Sequence, residues 1–120
     1  MNDLIENVSD LNLNWPDRVS LLIKSIEYVL NSFNSFEEQE DIKKILKTIK
    51  AYLADNSIHT KQNLRKMTFD FFEKSAFLKG KIYNVCIATT YAAYAVCDAI
   101  PRDSFIKMAA CYVNTLQPKG

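Results

Sequence analysis

The sequence predicts an all-α bundle of five helices, or six if residues 1–14 coil, and three observations predict it. Residues 81–100, KIYNVCIATTYAAYAVCDAI, lie between Gly80 and Pro101 and are apolar on nearly every side when wound at about 100° per residue. The segments around them repeat apolar residues at three- and four-residue steps, the mark of helices with one buried face. Only two glycines and three prolines are present. A multi-stranded β fold needs a turn signal roughly every 8–12 residues, so these are too few. A chain of 120 residues with 48% apolar and 24% charged residues is one ordinary globular domain spanning 1–120.

Residues 81–100 are expected to be the buried central helix. Ile82, Cys86, Thr89, Ala93, Val96 and Ile100 share one wedge, and Ile87, Tyr91, Tyr94 and Ala95 cover the opposite face. A helix apolar all round is either a core helix or a membrane span. Lys81, Asn84, two threonines, Asp98 and a run of weakly hydrophobic alanines favour the core.

In chain order, residues 1–14 read either as a short helix, with Leu4, Ile5, Val8 and Leu11 at helical spacing, or as an extended arm. Trp15-Pro16 opens the first clear helix, since proline's missing N–H is no loss in a first turn. Val19, Leu22, Ile23, Ile26, Leu30 and Phe33 form its inner face. Ser35-Phe-Glu-Glu38 reads as a capping box, opening a second helix to about Ala54 with Ile42, Ile45, Leu46, Ile49 and Leu53 inward. The short Asn34-Ser35 link implies an antiparallel hairpin. Ser57 or Thr60 caps a third helix running to about Ser75 or beyond, with Leu64, Met67, Phe71 and Leu78 on one face. Phe69 and Phe77 fall off it, so either they cover a neighbouring helix or one is exposed. Lys79-Gly80 is its stop, with glycine in the left-handed conformation. Pro101 and an Asp103 cap precede a last helix to about Leu116, which offers Phe105, Ile106, Ala109, Val113 and Leu116 for packing. Residues 117–120 are a frayed tail.

Composition excludes several chemistries. His59 is the single histidine, and with three dispersed cysteines it makes no zinc spacing. Two glycines cannot build a phosphate loop. No catalytic residue, metal site or cofactor is therefore predicted. Cys86 and Cys97 sit about 16 Å apart along one helix, too far for a bridge. With Cys111 they read as reduced core thiols of a cytoplasmic protein. The N-terminus has no basic region followed by an apolar run, so no signal peptide is expected.

Two patterns suggest other functions. Glu37-x-x-Glu40 and Asp70-x-x-Glu73 resemble the acidic motifs of all-α magnesium-dependent nucleotide pyrophosphatases. Both pairs turn away from their helices' apolar sectors, however, and acids in a first turn suit the helix dipole. Glu40 is also spaced to pair with Lys44. Lys43, Lys44, Lys47 and Lys50, with Lys61, Arg65 and Lys66, would make a phosphate-facing stripe. Residues 43–120 hold only two arginines among thirteen bases, which disfavours sequence-specific nucleic-acid reading. A dimeric helical regulator is compatible with everything above.

ATTYAAYAVCDA, followed by a short break and FIKMAACYV, resembles the helical immunity proteins of bacterial polymorphic-toxin systems. The likeness covers residues 81–113. It implies a non-enzymatic protein that neutralises a toxin domain by stoichiometric binding. Residues 1–42 carry a balance of −7 and residues 43–120 one of +8. Charge complementarity to a basic toxin selects Glu37, Glu38, Glu40 and Asp41 as the partner-binding residues, joined by Asp3, Glu6 and Asp10.

Overall fold

A computed structural model describes residues 4–10, 12–97 and 101–116. Among them the chain forms six helices and no strand: α1 Leu4–Val8, α2 Trp15–Leu30, α3 Gln39–Asp55, α4 Ile58–Ser75, α5 Gly80–Cys97 and α6 Arg102–Asn114. The expected helical bundle is present. Leu11, Asp98, Ile100, Asp3 and the tail at 117–120 lie outside the described residues.

The N-terminal segment takes the helical alternative. Leu4 and Val8 of α1 are buried in the common core, and α1 packs against α2 and α6. Pro16 lies in the first turn of α2, as expected. Val19, Leu22, Ile23, Ile26 and Leu30 form its buried face.

The start of α3 differs from expectation. It opens at Gln39, with Glu38 at the cap position and no side-chain cap bond. Ser35 lies in an irregular segment, so the Ser35–Glu38 capping box does not form. The connection from α2 runs over residues 31–38 instead of two residues. Phe33 and Phe36 explain why: both pack against the core, with ring centroids 5.5 Å apart. Burying those rings outweighs one extra turn of helix.

α3 ends at Asn56, which takes the left-handed conformation (φ 53°) and donates its N–H to Tyr52 O at 2.7 Å. Ser57 caps α4, its hydroxyl accepting from Thr60 N at 3.4 Å. Gly80 is left-handed as expected (φ +70°), but it opens α5, because α4 already stops at Ser75. Phe69 and Phe77, the two rings that fell off the apolar face of α4, are both exposed.

α5 occupies the centre and touches α2, α3, α4 and α6. Ala88, Ala92, Ala93 and Ala95 have no exposed surface, and these short side chains let four neighbours approach its backbone. Thr89 and Thr90 satisfy their buried hydroxyls within the helix, on Val85 O and Cys86 O at 2.9 and 3.0 Å. A radius of gyration of 13.3 Å is close to the ~13.6 Å of a compact unit of this length.

The described end of α5 is held by arginines. Arg65 Nη2 donates to Cys97 O at 2.6 Å, and Arg102 Nε donates to Ala95 O at 2.8 Å. Cations at a helix C-terminus also complement its dipole. Arg102 lies 3.7 Å over the Trp15 ring, which ties α6 to α2. Asp103 does not cap α6, whose cap residue Pro101 offers no side-chain acceptor. Asp103 instead accepts from the buried Arg18 at 2.9 Å, and Arg18 also donates to Val8 O at 3.3 Å. Ile106, Ala109 and Val113 of α6 are buried, with Phe105 and Leu116 half-buried against the core.

Cys86 and Cys97 are buried. Cys111 is exposed, so it is not the core thiol its apolar context suggested. It occupies the outer side of α6, away from Ile106, Ala110 and Val113.

Candidate functional site

The four expected partner-binding acids cluster where α3 begins, but the protein already engages most of them. Glu38 is buried, only 8% exposed. Asp41 accepts from Lys74 of α4 at 2.9 Å, and the hydrogen bond and charge of Asp41 raise the Lys74 pKa. Glu40 pairs with Lys43 at 3.5 Å, not with Lys44, the i,i+4 partner the spacing suggested. Glu37 is exposed. Beneath them, burial first and then the charges of Glu38 and Asp41 push the Cys86 thiol up to about 12. Glu6 and Asp10 belong to the α1 region, which packs on α2 and α6 and not on α3, so they do not join this cluster.

The pyrophosphatase pattern does not converge either. A shallow groove of about 310 Å³ between α3 and α4 is lined by Asp41, Lys44, Ile45, Met67, Asp70, Phe71 and Lys74. Glu37, Glu40 and Glu73 are not among its walls. Among the described residues no three metal-ligating side chains stand close enough to share an ion. The lysine stripe of α3 is partly neutralised, with Lys50 on Glu27 at 2.6 Å and Lys43 on Glu40. His59 sits exposed in the first turn of α4.

A different surface collects the aromatic side chains. Tyr83, Ile87, Tyr91 and Tyr94 follow one another along α5 at helical spacing, with Ile87 buried and the three tyrosines half-buried. Tyr91 stacks on Phe105 and Tyr112 of α6 at centroid distances of 5.9 and 6.1 Å, and Tyr94 meets Phe105 at 5.8 Å. Burial, followed by the nearby phenols of Tyr112 and Tyr83, raises the Tyr91 pKa. Met108, between Phe105 and Tyr112 on the same flank of α6, is exposed.

The α4 side continues this face. Ile58, Arg65, Phe69 and Phe72 recur on the flank of α4 that adjoins α5, as the Arg65 bond to Cys97 requires. Ile58, Phe69 and Phe72 are 59%, 52% and 39% exposed, and Met108 is 40% exposed. At about 200 Å² per large side chain, these four alone leave roughly 400 Å² of apolar surface in water. One side of a standard protein interface covers about 800 Å² and is a little over half apolar. The face therefore has the apolar content of one such side. Phe69 and Tyr94 line a cleft of about 590 Å³ together with Gln62, Arg65 and Lys66.

The sequence contained both signals for this face. Phe69 stood off the apolar stripe of α4, and Tyr91 and Tyr94 formed a second face of α5. Nothing in the sequence said that the two faces adjoin. No helix among the described residues is long and apolar enough to cross a membrane. No protein-family model matches the chain, and no curated protein or solved structure matches it significantly.

Proposed function

We propose that this protein acts by stoichiometric binding to another protein, and that the partner is a toxin domain which it neutralises in the bacterial cytoplasm. The observation that supports binding is the exposed aromatic face of α4, α5 and α6. Leaving roughly 400 Å² of apolar surface on one face in water gives folding nothing, and apolar surface of this extent often marks interaction sites. Aromatic residues together with arginine are also the types that dominate binding energy at interface centres. The toxin assignment rests on the resemblance of residues 81–113 to helical immunity proteins.

The acidic cluster at the start of α3 is a secondary surface in this reading. Its charges are compensated by Lys74 and Lys43, which leaves Glu37 as its freest member.

Tagged protein recovered from its native cells tests the proposal, with co-purifying chains identified by mass spectrometry and expressed alone. A single stoichiometric partner that arrests growth by itself, and is tolerated on co-expression, supports it. Phe69→Ser with Phe72→Ser should abolish that protection while leaving the helical signal intact. Recovery of nucleic acid, or of no protein, would refute it.

A further inference from the structure

Resting on the protein-binding reading above, we infer that the face of α4–α6 takes a partner whose contact segment is acidic. An apolar side chain of that segment would enter between Phe69 and Tyr94. Its carboxylates would meet Lys61, Arg65 and Lys66.

This face carries cations that no ion pair neutralises among the described residues. Lys61, Arg65 and Lys66 stand on or beside the α4 flank that carries Ile58, Phe69 and Phe72, and none of them makes an ion pair among the described residues. Lys74, on the other side of α4, is paired with Asp41. Arg65 is fixed by its bond to Cys97 O through Nη2, which holds the rest of its guanidinium in place at the cleft wall. Of the acids on α4, Asp70, one turn beyond Lys66, lines the groove toward α3, and Glu73 is exposed; α5 carries no acid within Gly80–Cys97. A basic rim around an apolar centre selects a partner of opposite charge and raises its rate of encounter.

Two other occupants fit less well. A second copy of the chain, related by a two-fold axis, would set Lys61, Arg65 and Lys66 against the same three residues. Single-stranded nucleic acid would supply negative charge, but its bases bind by stacking on free ring faces. Here Tyr91 is already stacked on Phe105 and on Tyr112, at interplanar angles of 22° and 23°, which leaves Phe69 and Phe72 as the exposed rings for bases.

The test places a photo-crosslinker, p-benzoylphenylalanine, at Phe69 in the full chain, and in a parallel variant at Glu37. Both are irradiated in native cells, and the crosslinked segment is identified by mass spectrometry. The expected product from position 69 is a protein segment of net negative charge. Its yield should fall about tenfold with Lys61→Glu plus Lys66→Glu, and persist with Lys61→Arg plus Lys66→Arg. A basic or neutral segment, a second copy of the chain, or nucleic acid at position 69 would overturn the inference. Capture from position 37 alone would overturn it and leave the protein-binding reading standing. Capture from neither position, with no co-purifying protein, would remove both.

Discussion

All three arginines of the chain are engaged inside the fold, and each joins elements distant in sequence. Arg18 lies on α2, its side chain only 8% exposed, and reaches Asp103 on α6, whose side chain is 56% exposed. Its Nε has no hydrogen-bond partner. Removing the acid leaves a buried guanidinium short of its counter-charge, whereas removing both residues leaves only a volume to fill. Asp103→Ala should therefore cost about 1–2 kcal/mol, below the fully buried case because Asp103 is half in water. Arg18→Met combined with Asp103→Ala should be more stable than Asp103→Ala alone. Urea unfolding of the three variants checks this, and a double mutant weaker than the single one would contradict it. Asp103 also shows where local reading ended. An acid beside a helix start reads as a cap, and only the position of Arg18, 85 residues away, gives it a different role.

At the scale of single elements, helix starts separate local chemistry from packing. Ser57 caps α4 as its sequence suggests, and Ser35 does not cap α3 although it stands in an equally good motif. The difference lies in the next residue. Phe36 is drawn onto Phe33 and the core, which removes the first turn that Ser35 would have capped. Ser57→Ala should cost about 1 kcal/mol, as loss of a working cap does. Ser35→Ala should stay within about 0.5 kcal/mol, as expected of a surface change. Thermal melts of both variants distinguish them, and equal losses would mean that Ser35 does cap α3. The helices themselves were legible. Their apolar periodicity over 16 to 18 residues in α2 to α4 depends on backbone geometry alone.

For the molecule as a whole, stability should decline on the alkaline side. The Cys86 thiol, ordinarily near 9.0, is pushed up to about 12 by burial and then by Glu38 and Asp41. Between those values the unfolded chain releases the proton and the folded chain keeps it. Stability from this group is therefore full below about pH 9 and is lost as pH rises toward 12. Tyr91 is raised by burial and Lys74 by Asp41, and both act in the same direction above about pH 10. Urea midpoints measured from pH 8 to 11 should fall steadily. Cys86→Ala should flatten the first part of that fall, since one such group contributes at most about 1.4 kcal/mol per pH unit. An unchanged slope in the variant would show that Cys86 is not the titrating group.

The sequence by itself determined that the chain is helical, where most helices lie, and that residues from Lys81 onward form the centre. Those properties follow from periodicity, turn residues and the small side chains of α5, all of which are local. Tertiary structure alone decided which charges remain available to a partner. Of the acids at the start of α3, Asp41 and Glu40 meet Lys74 and Lys43, and Glu38 lies buried. Glu37 alone is exposed without an ion pair among the described residues, while Lys61, Arg65 and Lys66 keep their charge beside exposed rings. It also decided that Phe69 of α4 adjoins Tyr94 of α5, and through it Phe105 of α6. Surface composition depends on which helix flanks are left uncovered after packing, and that is set by contacts between residues far apart in the chain.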